Sequence, residues 1–329
     1  MNILAGDIGG THTRLLLAKI EANNFNILQQ QHYPSQQYDG LVPVVQQFLQ
    51  TCGEQHKPQR ACFAVAGPVR DDKANITNLP WILSANALSV ALDMERVQLL
   101  NDFEGIGYGI SHLDEADFVS LQAGKPEDQG TCAILGAGTG LGQVMLTWCN
   151  NQYQVHSSEG GHVDFAARTK QQIHLLQHLL QTQSRVSYEH LLSGQGLVRL
   201  YQYFNQSAGE PAEAVTTDFS DDSDAAANIA QRAAKLQDPH AIAALSLFMS
   251  IYGARAGDLA LSYKATGGLF ITGGIAQKNL AAIKAGEFMQ SFVNKPPMTQ
   301  LLQTIPVKVI VNPDVGMLGA LEYCLRNGT

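Results

Sequence analysis

The sequence predicts a two-domain α/β protein, and three observations carry that expectation. The chain has 329 residues, about twice the usual length of one domain. Apolar strand-like runs alternate with segments of helical apolar spacing. A strand, a Gly- and Thr-rich turn and a second strand occur twice, roughly 130 residues apart, a spacing that suits a duplicated domain and not a solenoid.

The first copy starts at Ile3, Leu4 and Ala5, turns through GDIGGTHTR and continues as RLLLAKI. Short strand, tight Gly turn and short strand make a β-hairpin with its tip at Gly9 and Gly10. The second copy is AILGAGTGLGQVML at 133–146. Between the copies, residues 41–52 have helical apolar spacing. RACFAVAGPV at 60–69 reads as a buried strand ending in a Gly-Pro turn. VQLLNDFEGIGYGI at 97–110 reads as a strand, a polar junction at Asn101 and Asp102, and a helix start. The second half is more helical, with helices expected over 171–182, 187–204, 225–236 and 240–263 and a loop over Pro211–Asp224. GGLFITGGIAQKN reads as strand, Gly-Gly turn and helix start, and PVKVIVNPDVGMLGALEYCL as strand, loop and final helix.

Composition narrows the function. Hydrophobic residues make up 45%, which disfavours disorder, and the formal net charge is −8. An acidic chain does not suit nucleic-acid phosphates or anionic lipid, which need basic clusters. It does not exclude a nucleotide ligand, because backbone amides hold phosphates without Lys or Arg. Residues 129–158 lack Asp, Glu, Lys and Arg, but Gly, Asn and Gln interrupt every apolar run, so no membrane span is expected. The five cysteines are widely spaced and form no C-x-x-C, so neither a disulfide framework nor a cysteine zinc site is expected. With Met1 leading directly into a strand, the chain reads as soluble and cytoplasmic.

The Gly turns are the first candidates for chemistry. A hairpin tip at Gly9, Gly10 and Thr11 offers backbone N–H groups and hydroxyls to a phosphate. Asp7 beside it would repel phosphate unless a divalent metal lies between them, held directly or through water. A tight hairpin with an incidental Asp is the plain alternative. No G-K-[ST] follows, and the next segment is a strand, so neither the Walker pattern nor the dinucleotide fingerprint applies. The turn Gly136–Gly142 and a third at Gly273-Gly274 make a polyphosphate clamp with room for an adenosine the better reading of all three.

The polar junctions are the second. An Asp ending a strand, as Asp102 does, can take a proton from a substrate hydroxyl, although an N-cap is the commoner role. EGGHVDF sets Glu159 and His162 around a Gly-Gly turn, with no third metal ligand apparent. SYEHLLSG sets Glu189 in the expected first turn of a helix capped by Ser187. Carboxylates, an amide and an imidazole together have the composition of a sugar site, since sugar hydroxyls both donate and accept.

With TNLPW, LLNDF, GAGTGLG, EGGHVDF, YEHLLSG and FITGGI in place, the chain resembles bacterial glucokinases of the type without a zinc-binding cysteine cluster. These belong to the hexokinase and actin superfamily of ATP-binding folds, which also holds heat-shock chaperones. The resemblance implies an actin-like ATPase (ribonuclease H-like) fold of two α/β domains with a cleft that closes on sugar. It puts residues 1–111 plus 303–329 in a small domain and 112–302 in a large one. It implies Asp102 as the catalytic base, and Asn78, Asn101, Glu159, His162 and Glu189 as partners of glucose. It implies Asp7, Gly9, Gly10 and Thr11 as the first phosphate loop, with Asp7 toward Mg²⁺. Gly138 and Thr139 become the second loop, near the γ-phosphate of ATP, and Gly273 and Gly274 the adenosine-side turn. A homodimer feeding glycolysis is also implied. Departures are small: His12 stands where relatives often carry Asn, and Gln195 replaces a Pro of some relatives.

The expected reaction is ATP-dependent phosphorylation of the glucose 6-hydroxyl to glucose 6-phosphate and ADP. The competing readings are a nucleotide-binding regulator on the same fold, a kinase for another hexose, and a donor such as polyphosphate or ADP. The sugar set together with Asp102, and the absence of an appended helix-turn-helix, favour the kinase over the regulator.

Overall fold

A computed structural model describes residues 1–21, 24–207 and 222–327. Its strands are β1 (Asn2–Ile8), β2 (His12–Glu21), β3 (Asn24–Pro34), β4 (Arg60–Val65), β5 (Val69–Arg70), β6 (Lys73–Asn75) and β7 (Ile82–Ser84). They continue with β8 (Arg96–Asn101), β9 (Phe118–Gln122), β10 (Cys132–Ala137), β11 (Leu141–Cys149), β12 (Gln152–Ser158), β13 (Gly268–Thr272) and β14 (Val307–Ile310). The chain divides into two compact units, one of residues 1–117, 155–157 and 312–329, the other of residues 118–154 and 158–311.

The first unit is built on a five-stranded sheet of order β3-β2-β1-β4-β8. β1 and β2 are antiparallel with Asp7 opposite Arg14 and Ile8 opposite Thr13, which leaves Gly9, Gly10 and Thr11 as the hairpin tip. β4 and β8 run parallel to β1. Layers cover both faces of the sheet, which is why β4 reads RACFAV without polar alternation. On one face, Leu4, Ile8, Leu15, Leu17, Phe63 and Val65 pack with Phe48 of the helix Leu41–Cys52. On the other, Ile3, Ala5, Ala18, Cys62 and Ala64 pack with Met317, Leu321 and Cys324 of the helix Val315–Arg326. That second face is small-residued, so helices can lie close to it. A small sheet, β5-β6-β7, carries the segment before the helix Ala85–Ala91.

The second unit repeats the design in a six-stranded sheet of order β12-β11-β10-β13-β14-β9. β10 and β11 form the second hairpin, with Ala137 opposite Leu141, and β13 runs parallel to β10. The expected placement of the C-terminal strand is corrected here. β14 pairs with β13 and with the edge strand β9, so it completes the second sheet, and only residues 312–329 return to the first unit. Without β14, the main-chain groups of β13 and β9 would lose their ladder partners. The core of this unit surrounds the 25-residue helix Pro239–Tyr263. Asp238 starts it by accepting the His240 and Ala241 amides, and Lys264 ends it in the left-handed conformation.

The helices Lys170–Leu179, Gly194–Ser207, Asp222–Ala234 and Pro239–Tyr263 answer to the four expected from spacing. Of the expected Pro211–Asp224 loop, residues 211–221 lie outside the described residues and Asp222 already belongs to a helix. One expectation fails. Ser187 forms an isolated β-bridge with Asp164, residues 188–193 are bends and turns, and the helix starts at Gly194. Ser193, not Ser187, supplies the cap, its Oγ accepting the Gly196 amide at 3.1 Å. Gly196, inside that helix, lies against the Leu191 backbone, where a Cβ would come within 2.4 Å of the carbonyl oxygen, so only glycine allows this close approach.

Candidate active site

In the first unit the site grows from the hairpin tip. The Gly9 amide donates to the His12 carbonyl at 2.9 Å, so it shapes the turn and is not a donor to a ligand. Ser35 clamps the tip from below, its Oγ donating to the Gly9 carbonyl at 2.8 Å and its amide to the Thr11 carbonyl at 2.9 Å. Thr11 is exposed at the tip. Gly10 must be glycine, since a Cβ there would lie 2.7 Å from the Thr77 carbonyl oxygen. The same contact sets the tip against Asn78, whose φ of 64° is a turn conformation that Asn tolerates.

Asp7 stands at the root of this hairpin, 3.6 Å from the Arg14 guanidinium. Burial raises its pKa, and Arg14 partly opposes the rise. Arg14 also donates to the Pro313 carbonyl, tying β2 to the loop before the C-terminal helix. One carboxylate beside free backbone amides fits Mg²⁺, which keeps several waters and binds through one or two carboxylates plus substrate phosphates. Among the described residues no cluster of three or more His, Cys, Asp or Glu side chains forms an all-protein cage.

Asn101 and Asp102 divide the work at the end of β8. Asn101 is the N-cap: its Oδ1 accepts the Phe103 amide at 3.0 Å, and Glu104 returns to the Asn101 amide at 3.2 Å. Asn101 Nδ2 also donates to the Gly67 carbonyl at 3.1 Å. Because Asn101 caps the helix, Asp102 is not needed for that task. Its carboxyl accepts the adjacent Phe103 amide at 3.0 Å. Burial, and next the negative charge of Asp7, push its pKa up to about 7.

In the second unit three expected sugar residues converge. His162 lies between two carboxylates, with Nδ1 3.6 Å from Glu189 Oε1 and Nε2 3.9 Å from Glu159 Oε2. The 3₁₀ turn Gly160–His162 makes this possible, and Gly161 in it is obligatory: a Cβ there would lie 2.0 Å from the Leu141 carbonyl oxygen. Glu189 belongs to the turn region, not to a helix, and this frees it to reach the second hairpin. Its Oε2 accepts the Leu141 amide at 2.9 Å, and Gly140 leaves it room, since a Cβ there would be 2.6 Å from that oxygen. Glu189 thus joins the Glu159–His162 pair to the Gly138–Thr139 hairpin. The Gly138 carbonyl accepts the Gly194 amide at 2.9 Å, which anchors the tip to a helix start. Gly273, with φ of 88°, packs on the end of β10, where a Cβ would be 2.4 Å from the Ala137 carbonyl oxygen. Added Cβ atoms on Gly138 and Gly274 would meet nothing within 4 Å, so packing does not require glycine at either position.

Three supporting groups escaped the sequence reading: Arg14, Gln143 and Arg255. Arg14 had a signal, since it stands opposite Asp7 in an obvious hairpin. Gln143 and Arg255 had none, because their roles depend on tertiary placement.

The chain resembles known proteins along nearly its whole length. A family model described as Glucokinase matches residues 4–327. A glucokinase of Trichormus variabilis is 42% identical over 98% of this chain and 99% of its own. The crystal structure of a glucokinase from an Antarctic psychrotroph is 33% identical, covers 99% of both chains and superposes with a TM-score of 0.85. A glucokinase of the ROK family from Streptomyces griseus, solved with glucose and AMPPNP, is 18% identical at a TM-score of 0.65 and shares the fold. The duplicated sheets are those of the actin-like ATPase fold. With matching hairpins in both sheets and a match running from the first strand to the last helix, this chain belongs to the glucokinase family.

Proposed function

We propose that the chain transfers the γ-phosphoryl group of ATP to the 6-hydroxyl of glucose, giving glucose 6-phosphate and ADP, with Asp102 as general base. The observation that carries this is the Glu159–His162–Glu189 cluster, tied to a Gly/Thr phosphate hairpin through the Leu141 amide. A direct hydrogen bond then joins the expected hydroxyl-binding and phosphate-binding groups, which helps fix the geometry that in-line transfer needs.

The two carboxylates and the imidazole orient the sugar hydroxyls, with Asn78 and Asn101 as further partners. Asp102 accepts the 6-hydroxyl proton at a carboxyl oxygen as the new O–P bond forms. A pKa of about 7 suits a base working near neutrality. The Gly10 and Thr11 amides, with Gly138 and Thr139, hold the phosphates, and Gly273-Gly274 admits the adenosine. Mg²⁺ held at Asp7, directly or through water, would neutralise phosphate charge. The reading extends to a cytoplasmic homodimer supplying glycolysis.

The test is ADP release with MgATP across a panel of hexoses. Turnover on glucose well above that on mannose, fructose and N-acetylhexosamines is the expected result. Turnover on another sugar would keep the chemistry and move the acceptor, and none on any sugar would defeat the kinase reading.

The pH profile is a second test. With both substrates well below their KM, the rate reports the free enzyme. It should rise with pH and level off above an inflection near the Asp102 pKa of about 7, because only the ionised carboxyl accepts a proton. A profile flat across that range would remove Asp102 from this role.

A further inference from the structure

The two segments that carry the sugar cluster are held by one buried cation. Arg255 lies in the middle of the helix Pro239–Tyr263 and is 9% exposed. Its Nη2 donates to Gln143 Oε1 at 2.7 Å and to the Gly160 carbonyl at 3.1 Å. Its Cζ lies 4.8 Å above the ring of Tyr188, the residue before Glu189. Gln143 passes the tether on, its Nε2 donating to Ser158 Oγ at 3.0 Å, and the same Oγ accepts the Gly160 amide at 3.0 Å. Gly160 sits directly on this tether, where a Cβ would be 1.8 Å from Gln143 Nε2. One guanidinium therefore touches the turn bearing Glu159 and His162 and the turn bearing Glu189.

Both of its hydrogen-bond acceptors are neutral, and the nearby Asp258 is engaged by the Lys295 ammonium and by the Tyr188 hydroxyl at 3.2 Å. A buried cation with neutral partners does little for stability, and an apolar side chain of similar volume would pack there at lower desolvation cost. A planar fork that also stacks on an aromatic ring is a task for Arg that Lys does not perform.

We propose that Arg255 is a positioning residue for the acceptor sugar. It sets the spacing of Glu159 and His162 relative to Glu189, and with it the affinity for the hexose, while leaving the nucleotide to the Gly hairpins. The inference rests on those three residues being the sugar ligands, so Glu159→Gln is measured beside it.

The experiment is steady-state kinetics of Arg255→Lys, Ser158→Ala and Glu159→Gln, with glucose and MgATP varied in turn and thermal midpoints recorded. In Arg255→Lys the glucose KM should rise by about tenfold or more, since small displacements of positioning groups cost up to about a hundredfold, while the MgATP KM moves by less than about twofold. Ser158→Ala deletes one hydroxyl at a half-buried position and should keep the fold, with a glucose KM raised several-fold. A glucose KM within about twofold of wild type in both variants overturns the proposal, as does a parallel rise in both KM values. If Arg255→Lys does not fold, Ser158→Ala decides by the same two criteria. If Glu159→Gln leaves the glucose KM unchanged, the sugar reading fails, and the proposal with it. A raised KM in Glu159→Gln alone keeps the sugar reading and removes Arg255.

Discussion

Asp102→Asn should lower kcat by about 10²–10⁴-fold, the range that general-base assistance supplies. That is roughly 3–5 kcal/mol of barrier. Glucose binding, read by calorimetry, should survive. The reason lies in the division of work at the end of β8: Asn101 caps the helix and Glu104 completes the capping box, so the substitution leaves the helix start in place. The Asn amide oxygen can still accept the Phe103 amide, as the carboxyl does now. Unchanged turnover would dismiss Asp102 as the base.

The same variant should be more stable than wild type at alkaline pH. Burial and Asp7 raise the Asp102 pKa from 3.8 to about 7 in the folded chain. The stability this carboxyl contributes is therefore present below about 4, where both states are protonated, and is lost as pH rises through the folded value near 7. Asn carries no such dependence. The gain in ΔG of unfolding should grow between those two pH values and then level off, at up to about 4 kcal/mol. Thermal midpoints at acid and alkaline pH check it. A variant that is less active and more stable has lost a group held against its folding preference.

Much of this architecture was legible because backbone demands write directly into sequence. Gly9-Gly10 and Gly138–Gly140 mark hairpin tips, and buried parallel strands such as RACFAV show as unbroken apolar runs. What was not legible depended on long-range choice. PVKVI is a strand in either sheet by its own composition, and only the pairing partners offered by β13 and β9 decide its unit. The segment 187–193 has helical apolar spacing, yet the Ser187 bridge to Asp164 and the Ser193 cap win over that periodicity. Local composition set Glu189 in a helix; the Leu141 amide holds it elsewhere. Arg255 could not be read at all. Its neighbours in the chain are alanines, and its partners stand 112 and 95 residues away.

Glycines in this chain fall into two kinds, and substitution should separate them. The helix Asp102–Gly109 crosses the helix Val315–Arg326 backbone to backbone. A Cβ on Gly319 would lie 1.6 Å from the Gly105 carbonyl oxygen, and one on Gly109 would lie 2.0 Å from that of Val315. A Cβ on Gly105 would be 2.8 Å from the Ala64 Cβ of the sheet below, and one on Gly316 would be 3.6 Å from the Asp7 carboxyl. The atoms facing Gly319 are backbone of the other helix, so a methyl group there must push two helices apart. Gly319→Ala should cost about 3 kcal/mol or more, at the severe end of overpacking. Its effect reaches function because Asp102 opens one of the displaced helices and Asp7 lies against the start of the other. Gly138→Ala and Gly274→Ala are the opposite case. Their Cβ atoms would meet nothing within 4 Å and neither backbone is left-handed, so stability should stay within about 0.5 kcal/mol of wild type. Their cost should appear in the nucleotide instead, as a MgATP KM raised several-fold with the glucose KM little changed. Denaturant unfolding and two-substrate kinetics on the three variants decide between the two kinds. If Gly138→Ala and Gly274→Ala both leave the MgATP KM untouched, these turns are shaped for the chain alone and the second phosphate loop must be sought elsewhere.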